Sequence, residues 1–305
     1  MDKKLTEEAN CHGEIEEFED VVDKGFKELK NFEVLQDPPS DHRFINRNMQ
    51  RYVRQIFSDT CSVGKRVFSE SNFAKKIKTE WEILEATLPN SIMVRTYESR
   101  IDLMRACIVG LEGTPYCYGL FFFDIIFPNN YPAKPPELFY HAFGLELNPN
   151  LRKGGKVSLG LLNLSNWYQW LAQKELHWNP NKSDTLQVLL SIQNLILNQN
   201  PVLGGSQIDR ERCLKGNKEI FMVSCESMLQ TLRFPLSNFE VLIKGHFRKR
   251  AHSILSIYRA QMDSHSEKGM KELFFKLVKA FEANGAYCQH HYDKIEWSKE
   301  KETIF

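Results

Sequence analysis

The chain has 305 residues, 42% of them hydrophobic, so it can bury at least one sizeable core. Its formal charge of +1 argues against a protein built on nucleic-acid or membrane binding, and no run approaches the roughly 18 apolar residues of a membrane span. The seven cysteines are scattered and odd in number, and the opening MDKKLTEEAN has no apolar leader core, so reduced thiols in the cytoplasm or nucleus are expected.

Acidic and basic residues alternate through residues 1–68, as in GEIEEFEDVVDKGFKELKNF, and Pro38-Pro39-Ser40-Asp41 interrupts any long helix. This pattern predicts a poorly ordered tether or a peripheral helix. In SNFAKKIKTEWEILEATLP (71–89), Phe73, Ile77, Trp81, Leu84 and Leu88 share one helical stripe. Ser71 can cap the start of that helix, Pro89 lies just past its end, and Lys75, Lys76 and Lys78 fall off the stripe. Four strand-like runs follow: IMVRTY (92–97), MRACIVG (104–110), GLFFFDIIFP (119–128) and ELFYH (137–141). The last comes after the stiff YPAKPP. One helix and a four-stranded antiparallel meander make an α+β pattern. Next come an irregular stretch, NLSNWYQWLAQKELHWNP (163–180), and a helix, DTLQVLLSIQNLILNQ (184–199). Asp184 and Gln187 have capping-box spacing there. Residues 206–286 read as helical. One stripe begins with Phe239, Leu242 and Ile243; another carries Phe247, Ala251, Leu255 and Tyr258; the last carries Met270, Leu273, Phe274, Leu277 and Phe281. Asn284-Gly285 is the expected stop.

Between the meander and the second helix lies NPNLRKGGKVSLGLLN (148–163), an Asn-Pro-Asn turn, a Lys-Gly-Gly-Lys bend and a short apolar run around Ser158. The order of helix, meander, proline loop, Asn-Pro-Asn turn and second helix resembles the ubiquitin-conjugating enzyme fold. YESRIDLMRACIVGLEGTPYCYGLFFFDIIFPNNYPAKPP (97–136) is similar to the family's second and third strands and proline loop. Asn150 and Ser158, eight residues apart, match the spacing of its oxyanion asparagine and its cysteine. LQVLLSIQNLILNQNP (186–201) is similar to the helix behind its active site. The Asn-Pro-Asn motif, and FEVLIKGHFRKRAHSIL (239–255), point to the large plant-type members. The resemblance implies a ubiquitin-conjugating (UBC) core over 69–205, an N-terminal segment over 1–68 and a helical extension over 206–305.

The resemblance also implies a reaction. A conjugating enzyme takes ubiquitin from an activating enzyme by transthiolation and passes it to a lysine amine, using no cofactor of its own; ATP is used by the activating enzyme. A thiolate both attacks and leaves readily. Asn150 would donate to the oxyanion, a contribution of about 2.7–4 kcal/mol for donors of this kind; as a bare turn residue it would merely suit Asn-Pro-Asn. Ser158 departs from the pattern, because a hydroxyl is a weak nucleophile without a base. Gln199 and Gly204-Gly205-Ser206 also depart from the usual acidic rim. Cys107 and Cys117 read as small packed or surface residues, not relocated nucleophiles, and His177 as a loop residue before a base for Ser158.

Ubiquitin, the activating enzyme and a ubiquitin ligase are the implied partners, with no nucleic acid and no membrane. Their surfaces map to Lys75 and Lys76, to Pro128 through Ala133, and to Trp178, Asn179 and Pro180. Cys288, His290 and His291 lack a partner pair at zinc-finger spacing, so no metal is expected. Lys244, Arg248, Lys249 and Arg250 read as a solvated basic face or an acidic-partner site. Three readings stand open: a conjugating enzyme, a non-catalytic binding module, and a cysteine-to-serine change introduced to trap ubiquitin as an oxyester.

Overall fold

The structure, a computed structural model, describes residues 20–47, 72–162, 177–199, 210–262 and 268–292. Helix α1 (Val21–Lys27) starts where the Asp20 side chain accepts from Asp23 N at 2.9 Å. Strand β1 (Phe32–Leu35) follows, and then α2 (Asn72–Thr87). The meander is β2 (Ile92–Tyr97), β3 (Leu103–Val109), β4 (Leu120–Ile126) and β5 (Glu137–Tyr140). Helix α3 (Thr185–Ser191) runs into a π-helical turn at Ile192–Ile196. Helices α4 (Arg210–Arg233), α5 (Glu240–Gln261) and α6 (Lys268–Ala283) complete the chain, with a last 3-10 turn at Gln289–His291. Among the described residues no helix is long and apolar enough to cross a membrane.

The sheet corrects the expected four-stranded antiparallel meander. It has five strands in the order β1-β2-β3-β4-β5 and is mixed, since β1 runs parallel to β2 while the other pairs are antiparallel. Four residues are too few for an alternating pattern to stand out from the charged sequence around them. The pairing is specified by distant groups instead. Arg95 Nε meets Glu33 Oε2 at 3.2 Å, Val94 N donates to Asn31 O at 2.6 Å, and Glu98 N donates to Leu35 O at 2.8 Å.

Every residue of β4 is buried, because both faces of the sheet are covered. Alternation divides the side chains. Phe121, Phe123 and Ile125 join Met104, Ala106 and Ile108 on one face, under Ile77 and Leu84 of α2 and Val188, Leu189 and Ile192 of the α3 segment. Leu84 is fully buried there, and its truncation to Ala costs about 2–5 kcal/mol by the usual cavity rule. Leu120, Phe122, Met93 and Cys107 point the other way, into a second core built with Phe221, Phe239, Phe247, Tyr258 and Phe274. The three helical stripes read over residues 206–286 all lie in this second core.

A charged patch interrupts that second face. Arg105 grips Asp124 with two bonds, Nε to Oδ1 at 2.6 Å and Nη2 to Oδ2 at 3.0 Å. Asp41 accepts from Arg105 Nη1 at 2.9 Å, Arg43 N donates to Asp124 at 2.7 Å, and His141 Nε2 sits 2.8 Å from Asp124. Burial pushes the Asp124 carboxyl up, but His141 and Arg105 outweigh it and hold the group well below the usual carboxylate range. The patch thereby fastens the segment after β1 to the middle of the sheet. Helix α1 docks on α5: a Cβ at Gly245 would meet Phe26 Cδ2 at 2.4 Å, so only glycine permits this approach.

Candidate functional site

The loop after β5 is a miniature hairpin. Isolated bridges join Leu151 to Val157 and Phe139 to Lys156, and Tyr140 N donates to Gly155 O at 2.8 Å. The bend requires glycine at position 155. Its φ is +81°, and a Cβ there would meet Phe139 Cε2 at 2.1 Å. Folding the hairpin returns the chain to its start, so that Ser158 N donates to Asn150 O at 2.8 Å. The two residues expected to carry acceptor chemistry are thus neighbours. Both are half-buried. Among the described residues neither the Ser158 hydroxyl nor the Asn150 side-chain amide makes a hydrogen bond, and His177 makes none to Ser158.

Asn148 is the residue that sequence reasoning passed over. Its Oδ1 accepts from Asn150 N at 2.8 Å and Leu151 N at 2.9 Å, and its Nδ2 donates to the buried Tyr116 hydroxyl at 2.8 Å. The Asn-Pro-Asn motif therefore has two parts: a buried asparagine that shapes the turn and a half-buried one left free to donate. The one signal available in advance was the motif itself, since an asparagine two residues before a turn amide is the Asx-turn pattern.

Neither Cys107 nor Cys117 is poised as a nucleophile. Cys107 lies in β3 facing the second core and is fully buried, which raises its pKa. Cys117 is buried next to Glu112, and burial pushes its thiol up to about 11. At neutral pH such groups are protonated and unreactive.

The expected partner residues gather on the side of the molecule that carries α2 and the start of α3. Trp178 Nε1 donates to Pro132 O at 2.7 Å and its ring lies 5.7 Å from that of Tyr131. Pro128 to Ala133 and Trp178 to Pro180 therefore form one continuous surface, with Ala133, Asn179 and Pro180 exposed. Lys75 is exposed, while Lys76 is held by Glu80 at 2.9 Å. Glu80 also accepts from Thr185 N at 2.8 Å, a buried carboxylate at the first residue of α3. The basic cluster on α5 is partly committed within the fold. Arg248 bonds Asp20, Asp23 and the Asn284 carbonyl, Lys249 lies over Phe26, and Arg250 over Tyr118.

Comparison with known proteins places this geometry. The family model for ubiquitin-conjugating enzyme matches residues 76–224. "Putative ubiquitin-conjugating enzyme E2 38" of Arabidopsis thaliana is 40% identical over 70% of this chain and 68% of its own length. The chain belongs to the ubiquitin-conjugating enzyme family. "Probable ubiquitin-conjugating enzyme E2 24" of the same plant is 35% identical over 85% of this chain but only 29% of its own. For "Probable ubiquitin-conjugating enzyme E2 25" the figures are 42%, 73% and 39%. The chain thus spans well under half the length of these longer relatives. Set on this family's scaffold, the 148–158 hairpin is the candidate acceptor site, and the shared Trp178–Pro132 surface is the candidate docking face.

Proposed function

We propose that this family member meets ubiquitin, an activating enzyme and a ligase in the cytoplasm or nucleus, and that it acts there as a binding and regulatory module in place of a turning-over transferase. The core over 69–205 would carry the pathway surfaces, and 206–305 would be the plant-type helical extension. The observation that carries the reading is Ser158. It stands at the acceptor position with its amide anchored to Asn150, and among the described residues it has no base to take its proton. For acceptance, Ser158 Oγ would attack the thioester carbonyl of ubiquitin held by the activating enzyme. A C–O bond forms, the C–S bond breaks, the thiolate leaves, and the hydroxyl proton passes to water. The resulting oxyester is a poorer acyl donor than a thioester, so the second half of the family's reaction suffers more than the first.

The second reading, a slow carrier charged at Ser158, is favoured by the hairpin, which holds Ser158 beside an unengaged Asn150. One assay decides. The protein and a Ser158→Cys variant are each mixed with activating enzyme, ubiquitin and ATP and run on non-reducing gels. We expect no charged band on the protein and a thiol-labile band on the variant. A thiol-resistant, base-labile band on the protein itself establishes the slow carrier. No band on either form sinks the claim that the acceptor scaffold is functional.

A further inference from the structure

The fold assembles three histidines that the sequence scatters. His252 lies on α5, 39 residues before His291, while His290 and His291 close the last 3-10 turn. Each offers a ring nitrogen, and the three ligand atoms all lie within 4.8 Å of one another. His252 Nδ1 and His291 Nε2 already face each other at 3.1 Å. The His290 ring lies 4.7 Å from that of His252 and 4.2 Å from that of His291. Two tetrahedral zinc ligands, with Zn–N of about 2.0–2.1 Å, stand about 3.3–3.4 Å apart, so this pair needs to open by only about 0.3 Å.

From this arrangement we propose that His252, His290 and His291 bind a divalent first-row transition metal, zinc before the others. Imidazole nitrogen is a natural donor for zinc, copper and nickel. A metal held by all three rings would replace one hydrogen bond between two of them. The backbone that carries the ligands is already fixed. Arg259 donates to the His291 carbonyl, Cys288 is fully buried in the second core, and Tyr292 bonds Glu282 at 3.0 Å. His291 is buried whereas His252 and His290 are exposed, so the site opens to solvent on one side and leaves a coordination position for water. The ion would staple the last turn to α5. Sequence spacing hid the site because finger-type patterns require paired ligands close in the chain, and the third ligand here comes from another helix.

The test uses the full chain, stripped with chelator and kept reduced, and titrated with cobalt(II) as a visible probe and then with zinc. We expect one ion per chain, a nitrogen-and-oxygen type cobalt spectrum without a thiolate charge-transfer band, and a rise in melting temperature with zinc. His252→Gln and His290→Gln replace exposed side chains and should leave the fold intact, as circular dichroism would check. Each should weaken cobalt binding at least about tenfold, the loss already typical of outer-shell partners, and abolish the zinc-dependent rise. Failure to take up either ion overturns the proposal. So does a thiolate charge-transfer band, or unchanged affinity in both variants.

Discussion

Three hydrogen bonds converge on the side chain of Asn148, and none on that of Asn150 among the described residues. The two asparagines should therefore fail in different ways. Asn148→Ala leaves the buried Tyr116 hydroxyl and the Asn150 amide without partners, while the Leu151 amide keeps its bond to the Asn148 carbonyl, and should lower unfolding free energy by about 1–3 kcal/mol in urea titration. Asn150→Ala should change stability by no more than about 0.5 kcal/mol, yet slow charging of the Ser158→Cys form by about 10²–10³-fold. Equal effects on stability would remove the division of labour between them. At this scale the sequence was informative where a short loop fixes the spacing. Asn150 and Ser158 could be paired by counting residues, because a short hairpin fixes both ends. The tie from Asn148 to Tyr116 could not, because nothing local specifies which hydroxyl lies across the core.

His246 shows how an element can carry a pH dependence. It sits in α5 against the loop before β4, where Nε2 is 2.9 Å from Tyr118 O, and burial pushes its pKa down to about 4. With a carbonyl as partner the ring is a neutral donor. In the unfolded chain the same group titrates near about 6.5, so between those values the unfolded state binds the extra proton. The stability it contributes is fully present above about pH 6.5 and is lost as pH falls toward 4, at up to about 1.4 kcal/mol per pH unit. His246→Gln can keep the donor and should flatten that slope between pH 6.5 and 4 in chemical denaturation. An unchanged slope would assign it to His42, whose burial in the Asp124 patch also lowers its pKa. The elements themselves were legible in proportion to their periodicity. The stripes of α2, α5 and α6 and the runs of β2 to β5 lie within a few residues of their expected bounds. The predicted 184–199 helix becomes α-helical and then π-helical, because Gln193 turns to donate to Ser91 Oγ at 2.9 Å and Val109 O at 3.3 Å. Strand β1 had no period long enough to read.

The molecule as a whole is organised on a sheet covered on both sides, with a charged patch where three chain segments meet. Arg105 and Asp124 come from the sheet, Asp41 and Arg43 from the segment after β1, and Ser237 from the turn between α4 and α5, whose carbonyl accepts from Arg105 Nη1 at 3.2 Å. Asp124→Asn would leave Arg105 buried without its main counter-charge and should cost about 3–5 kcal/mol. It should also raise amide exchange at Arg43, whose N–H bonds that carboxylate. A loss below about 1 kcal/mol with unchanged exchange would mean that apolar contacts alone hold this segment. The same reasoning applies to residues 20–47, the described part of the stretch read from the sequence as a tether or peripheral helix. A segment held by buried ion pairs and one short strand shows a charged, aperiodic pattern of the kind expected of a tether.

The bridge between Phe139 and Lys156 has a consequence beyond the acceptor site. A sheet ends in strands whose outer amides and carbonyls can pair with any passing chain. At the β5 end, the hairpin that presents Ser158 occupies that border, with Gly155 folded against Phe139 and Tyr140 bonded to its carbonyl. The segment proposed as the acceptor site thus also shields the sheet from its own copies, so loosening it would tend to make the protein self-associate.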